Sequence, residues 1–341
     1  MKRIKKSRYL IPAIICIIGI IAIGYYYFVG SFSKLSATEY VYIDDDDNLD
    51  SVCVKLTPIA SEHAMTAFRC LARHSGYTDQ IRSGRYAITP SQSTISVFRH
   101  LKNGHQEPVR LTIPESRTMD RLAGYLSQKL MMDSTAVAIL LSDSAFCAQQ
   151  GYDTATIACL FIPNTYEVYW NISIDNLMKR MKKENAHFWN VQRTIKADAL
   201  NLTKEEVCTV ASIIDEETAN NAEKPMIAGM YLNRLKADMP LQADPTIKFA
   251  LKDFALKRIY HNMLQFDSPY NTYKHTGLPP GPIKIASIAG IDAVLNRTAH
   301  DYLYMCAKED FSGTHNFART YQEHLKNAAK YAKALNENGI K

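Results

Sequence analysis

The sequence contains no G-x-S-x-G, no H-E-x-x-H and no Gly-rich phosphate loop. Nucleophile-elbow, zincin and P-loop chemistries therefore have no local signature. C-x-x-C is also missing. The six cysteines beyond the N-terminal segment, Cys53, Cys70, Cys147, Cys159, Cys208 and Cys306, lie far apart and have no paired histidines. That spacing argues against a zinc site. Disulfides in an oxidising compartment and buried free thiols both remain open. There is no long repeat and no low-complexity segment, and no residue class is extreme, which excludes collagen-like, mucin-like and small disulfide-scaffold chains. With 47% hydrophobic and 22% charged residues the chain has the balance of a folded protein. Its 341 residues suggest about two domains.

The first 30 residues have no acid. Lys2, Arg3, Lys5, Lys6 and Arg8 give them five of the chain's 40 basic side chains, which leaves 35 against 34 acids for the rest. The remainder is nearly neutral, so no basic footprint for nucleic acid is visible and no nucleic-acid partner is expected.

After that basic cluster runs an uncharged apolar stretch, Tyr9 to Gly30. As a helix it is about 33 Å long, against a hydrocarbon core of about 30 Å. The positive residues place the N-terminus in the cytoplasm and the remainder outside. Tyr25, Tyr26 and Tyr27 suit an interfacial belt. A cleaved signal peptide is the alternative, but its apolar core is usually shorter and no clear A-x-A site follows. A retained single-pass anchor over 9–30 is the expectation, with a cytoplasmic tail over 1–8. Cys16 reads as a lipid-facing apolar residue, and Pro12 is expected in the first helical turn, where its missing N–H costs little.

Residues 31–40 read as a linker. The acidic run Asp44 to Asp47 lacks the alternation and glycine of an EF-hand and reads as a solvated turn. A strand over Arg85–Ile88, a helix capped by Ser93 or Thr94 and ended by Gly104, and an alternating strand from Val109 define a small α+β module. A helix-rich stretch follows, with caps at Thr118 and Asp133 and a helix from Asp175 to Lys183 whose cations read as a solvated face.

The region from Asn201 is richest in chemistry. Thr203 with Glu206 is a capping box, so a helix begins at Lys204. Its apolar stripe is Val207, Val210, Ala211 and Ile214. It ends in Asp215, Glu216 and Glu217, which point 100° apart. The spacing puts Glu216 on the polar side, behind Thr209 and Ser212, and Asp215 on the flank. Glu217 continues the buried stripe, behind Val210, Ile213 and Ile214. Burial holds a carboxyl protonated, the state required of a general acid toward a glycosidic oxygen. The alternative is that Glu217 caps a neighbouring element or pairs with a buried Arg234. Further on, SPYNTYKHTGLPPGPI (268–283) offers aromatic faces with amides and hydroxyls, which suit sugar rings, or it is a rigid loop set by proline.

Several segments occur together and in order: FIPNTY (161–166), VASIIDEET (210–218), MYLNRLKADMPLQADPTI (230–247), YNTYKHTGLPPGPI (270–283), DYLYMCA (301–307) and HNF (315–317). They resemble the endolytic murein transglycosylase (MltG or YceG-like) family. GRYAITPSQSTISVFRHLKNG (84–104) is similar to that family's LysM-like module. The resemblance implies an α+β fold, with a LysM-like module over 41–113 and a catalytic domain over 114–341. It also implies a lyase of the bacterial cytoplasmic (inner) membrane that cuts nascent peptidoglycan between N-acetylmuramic acid and N-acetylglucosamine. The catalytic Glu maps onto Glu217. The family's first acid is usually Glu, and here it is Asp215, which puts any direct role for that position in doubt.

In the implied mechanism Glu217 protonates the glycosidic oxygen and then serves as base toward the muramyl C6 hydroxyl, leaving a 1,6-anhydro end that terminates the strand. Gln242, Asp244, Thr246, Asn271, Tyr273 and His315 are candidate substrate-binding residues from their chemistry and their place in the matching segments. No metal or organic cofactor is implied. Glycan strands and the membrane are the expected partners, and peptidoglycan synthases are candidate protein partners. Two other readings stay open: a water-using muramidase with Asp215 or Asp244 as second acid, and a non-catalytic anchored glycan-binding or scaffold protein.

Overall fold

The computed structural model describes residues 3–256 and 258–338. Lys2 and the last residues of the expected catalytic domain, 339–341, lie outside that range. The fold is a mixture of helices and short strands, the α+β class expected, and it divides into two compact units.

The first unit comprises residues up to Leu111, with 129–131 and 167–172. It begins with helix α1 (Arg3–Gly24), continued by a π-turn over Tyr25–Val29. The large apolar side chains from Leu10 to Ile23 are 47–69% exposed, so nothing among the described residues covers them. Pro12, expected in the first turn, lies inside α1 because the helix already starts at Arg3. Its missing N–H therefore removes one bond of the helical ladder. Residues 31–33 are no free linker. Phe32 is fully buried, its N–H donates to the Gln92 carbonyl, and Ser31 and Ser33 bridge to Ser93 and Ala60.

Strand β1 (Glu39–Ile43) buries Val41 and Ile43 and leaves Tyr40 and Tyr42 outward, the period-two pattern of a half-buried strand. Helices α2 (Leu49–Leu56) and α3 (Glu62–His74) lead to β2 (Gly84–Ile88), which pairs antiparallel with β1, Val41 opposite Tyr86. The Asp44–Asp47 turn is tied down by Lys55, which ion-pairs with Asp44 and Asp47. Helix α4 (Thr94–Asn103) is capped by the Ser93 hydroxyl and stopped by Gly104 in the left-handed region. Phe68 is fully buried among Phe32, Tyr77 and Phe98, with edge-on ring contacts near 6 Å. Strand β3 (Val109–Thr112) closes the continuous part of the unit, which ends at Leu111.

The second unit begins with α5 (Met119–Lys129), α6 (Ser134–Ser142) and α7 (Ser144–Gln150), followed by β4 (Thr165–Val168), α8 (Ile174–Phe188) and α9 (Val191–Ala199). Its centre is α10 (Lys204–Glu217), packed against α11 (Lys224–Lys236), α12 (Asp244–Ala250) and α13 (Ile288–Leu295). Strands β5 (Tyr304–Ala307) and β6 (His315–Ala318) form an antiparallel hairpin, and α14 (Tyr321–Glu337) packs on it.

Helix α10 starts at the expected capping box: Thr203 Oγ1 accepts from the Glu206 N–H, and the Glu206 carboxylate accepts from the Thr203 N–H. The stripe from Val207 to Ile214 is buried, but so are Thr209 and Ser212. The expected polar side of this helix does not exist. Thr209 donates its hydroxyl to the Glu205 carbonyl and Ser212 to the Thr209 carbonyl. With their hydroxyls satisfied on their own backbone, both enter the core without an unpaired group. Buried all round from Val207 to Ile214, the helix carries its last turn, itself partly exposed, in among the packed elements of the unit.

Candidate active site

The three acids closing α10 have three different environments. Asp215, expected on the flank, has a side chain 1% exposed. It accepts from Lys224 Nζ at 2.7 Å, from the Ser287 N–H at 2.7 Å and from the Ser287 hydroxyl at 2.7 Å. One carboxylate thus fastens the end of α10 to the starts of α11 and α13. Gly290 permits this approach, because a Cβ there would stand 2.6 Å from Asp215 Oδ1.

Glu216, expected on a polar side, is held by Arg117. The guanidinium donates through Nε at 3.1 Å and through Nη2 at 2.7 Å, and Lys284 stands 3.5 Å away. These partners lie far off in sequence, so helical spacing alone could not reveal them. Between them, the two ion-paired acids fix the final turn.

Glu217 turns inward and lines a groove of about 230 Å³ with Tyr231, Arg234, Gln242, Asp244, Tyr273, Cys306 and His315. Its carboxyl is crowded by protein, yet part of the residue stays accessible through the groove. Burial pushes the carboxyl above its ordinary value. The nearby Asp244 pushes the same way, while a hydrogen bond from Tyr231 and the positive fields of His315 and Lys248 oppose it. As the last residue of α10, Glu217 also sits at the negative end of the helix dipole, which disfavours the anion further. Tyr231, 2% exposed, donates its hydroxyl to Oε1 at 2.7 Å. Burial beside this carboxylate pushes the phenol well up, so it remains a donor. Oε2 has no protein partner among the described residues and is open for a transferable proton.

The alternative pairing with Arg234 is not observed. Arg234 donates instead to the carbonyls of Leu303 (2.6 Å), Pro240 (3.1 Å) and Leu241 (2.9 Å), and to Gln242 Oε1 (3.3 Å). It thereby ties the 240–242 segment to the approach of β5.

Gln242 holds a left-handed backbone, φ 49°, which is uncommon for a residue with a side chain. Its N–H donates to the Thr272 carbonyl. Such local strain, on the order of 1–3 kcal/mol, persists only where surrounding bonds dictate it. Asp244 opens α12 and accepts from the Tyr273 hydroxyl at 2.5 Å.

Of the six candidate binding residues, Gln242, Asp244, Tyr273 and His315 meet Glu217 at the groove. Thr246 and Asn271 do not line it, and both are fully buried. Thr246 binds the Ala243 carbonyl and the Thr272 hydroxyl, and the Asn271 amide donates to the Leu264 and Phe266 carbonyls. They build the loops that carry the groove residues.

One groove partner has no counterpart among the candidates read from sequence. Glu223, 8% exposed, accepts from the His315 N–H at 2.6 Å and binds His315 Nδ1 at 3.0 Å. Its position just before α11 makes it read as an ordinary acid at a helix start.

A helix-borne, desolvated carboxyl in a polar groove defines an acid–base site suited to a polyhydroxylated ligand, and it stands on the segment VASIIDEET. The YceG-like family model matches residues 41–330, and the chain belongs to that family. An endolytic murein transglycosylase of Streptococcus pneumoniae (serotype 2 strain D39) is 30% identical over 347 residues, covering 90% of this chain and 62% of the relative. The chain thus spans about three fifths of that protein's length. An endolytic murein transglycosylase of Bacillus subtilis (strain 168) is 30% identical over 307 residues, covering 84% of this chain and 82% of the relative. The crystal structure of a YceG-like protein from Listeria monocytogenes matches 86% of this chain and 99% of its own, with a TM-score of 0.56 at 25% identity.

Proposed function

We propose that the chain is a membrane-anchored endolytic lytic transglycosylase. It cleaves the glycosidic bond between N-acetylmuramic acid and N-acetylglucosamine in nascent peptidoglycan and leaves a 1,6-anhydro end. The observation that carries this reading is Glu217: a desolvated carboxyl, kept toward its neutral form, facing a groove lined by hydroxyl, amide and aromatic groups. The relatives' shared name points the same way.

Glu217 Oε2–H gives its proton to the bridging oxygen as the C1–O bond breaks. The muramyl C6 hydroxyl attacks C1 and no water is consumed. The internal hydroxyl replaces the second carboxylate that a glycosidase needs for a nucleophile or a water. The C6 hydroxyl has a proton to lose, and the Glu217 carboxylate is the simplest acceptor. Gln242, Asp244 and Tyr273 hold the sugars around the scissile bond, while Thr246 and Asn271 support them from behind. Asp215 is unavailable as a second acid, since it is ion-paired and sealed in. Asp244 is the carboxylate that a hydrolytic route would use.

In the same reading residues 41–113 form a LysM-like glycan-binding module, 114–341 the catalytic domain, and 9–30 the single-pass anchor, with the N-terminus cytoplasmic. The bare isoleucine surface of α1 supports the last point, because such a surface has to be covered. Peptidoglycan synthases are the protein partners that such a position offers.

The test is Glu217→Gln on uncrosslinked glycan strands. The variant should fold and bind strands but release no anhydro-ended fragments by mass spectrometry. Unchanged turnover by the variant, or fragments one water heavier from the native enzyme, would overturn the reading.

A further inference from the structure

Glu223 and His315 form a carboxylate–imidazole pair built into the groove wall. Glu223 spends both carboxylate oxygens on one residue, Oε1 on the His315 N–H at 2.6 Å and Oε2 on Nδ1 at 3.0 Å. This fixes the ring's place and, in the neutral imidazole, puts the hydrogen on Nδ1. Nε2 then carries the lone pair. It has no protein partner among the described residues, and the side chain lines the same groove as Glu217. The backbone adds to the constraint: His315 begins β6 opposite Ala307 in the hairpin. A ring held at both N–H and Nδ1 and left open at Nε2 has the build of an oriented general base.

We infer that His315, held by Glu223, takes the proton of the attacking muramyl hydroxyl. The inference rests on the transglycosylase reading above and moves its second proton transfer from Glu217 to the imidazole. The step balances. Glu217 loses a proton to the leaving GlcNAc oxygen, which also takes the electron pair of the broken C1–O bond. O6 bonds to C1 and its proton passes to His315 Nε2. The site ends with a Glu217 carboxylate and an imidazolium, and proton exchange through water restores both. His315 is a catalytic residue on this account, and Glu223 is a positioning residue.

The division of labour has a physical advantage. A carboxyl kept neutral by burial is a good acid for the leaving oxygen but has to ionise before it can serve as base. An imidazole is a competent base at neutral pH from the outset. The charged and titratable groups around the ring are Glu223 at the start of α11, Arg234 and Tyr231 along it, and Glu217 at the end of α10. Asp244, Tyr273 and Cys306 line the same groove, Lys248 on α12 acts on Glu217, and Lys308 follows Ala307, the residue opposite His315 in the hairpin.

The experiment measures kcat and KM against pH on uncrosslinked glycan strands, with full-length protein in detergent. It compares the native chain with Glu217→Gln, His315→Ala, His315→Gln and Glu223→Gln. In the native enzyme activity should show an acid limb, and it should fall at high pH as Glu217 ionises. His315→Ala should lower kcat by about 10²–10⁴-fold with KM little changed, and should abolish the acid limb. Glu223→Gln should lower kcat less than His315→Ala does, with KM little changed, because the ring keeps its chemistry but loses the partner that orients it. A role for His315 confined to structure would leave the acid limb in place. If His315→Ala fails to fold by circular dichroism, His315→Gln carries the test and should also lack the limb. A histidine variant that keeps kcat and the limb, or that changes KM alone, overturns the inference while an inactive Glu217→Gln leaves the transglycosylase reading standing. Turnover by Glu217→Gln overturns that reading instead.

Discussion

The hydrogen bond from Tyr231 to Glu217 opposes the burial that holds the acid's proton, and Tyr231→Phe isolates that bond. The substitution removes one oxygen from a residue 2% exposed and leaves the ring volume in place. The lost bond is worth about 1.5–3 kcal/mol to the ionised carboxylate and about 0.5–1.5 kcal/mol to the neutral acid. The difference, about 1–1.5 kcal/mol, corresponds to about one pKa unit. Glu217 already lies above its ordinary value, with burial as the main cause, and the variant should push it higher.

The direction shows in two assays. On the transglycosylase reading, the basic limb of kcat/KM for anhydro-end formation should move to higher pH by about one unit. Stability should also diverge with pH. Burial raises the folded-state value above that of the unfolded chain, so the neutral acid contributes stability in full below the ordinary carboxylate range. That contribution is lost as pH rises through the raised value. Urea midpoints of the native chain and the variant should therefore lie closest in acid and separate as the carboxyl ionises. A basic limb that stays put, or moves down, would refute the electrostatic account of this site.

Three further outcomes follow from the structure. Asp215→Asn leaves Lys224, whose side chain is 7% exposed, without a counter-charge, and should cost about 3–5 kcal/mol in urea unfolding. Asp292→Asn, which breaks the more open pair with Arg193, should cost under about 1 kcal/mol. Deleting residues 1–30 should move the protein from the membrane pellet to the soluble fraction, and retention in the pellet would count against the anchor.

What could be read from sequence was local or periodic. The capping box at Thr203, the apolar stripe of α10 and the apolar N-terminal run each depend on residues a few positions apart. Glu217 was reachable because it continues such a stripe. The environments of Asp215 and Glu216 were not, because their partners Ser287, Arg117 and Lys284 come from other parts of the chain. Helical spacing also misjudged the side bearing Thr209 and Ser212, since short hydroxyls that bond their own backbone can be buried. Thr246 and Asn271 look like ligand groups in a matching segment, yet each is consumed in holding a loop. Glu223 is not legible, because an acid ahead of a helix has an ordinary explanation and its partner arrives on a distant hairpin.

Glu217 and the Glu223 carboxylate that grips the His315 imidazole stand at the two ends of one short connection, 218–223, between α10 and α11. Tethered so closely, they form a single mechanical cassette. An insertion there would alter the spacing of both groups at once, whereas length changes in loops elsewhere would leave their mutual distance intact. Any hinge motion through this turn would bring them into register, or out of it, as a pair.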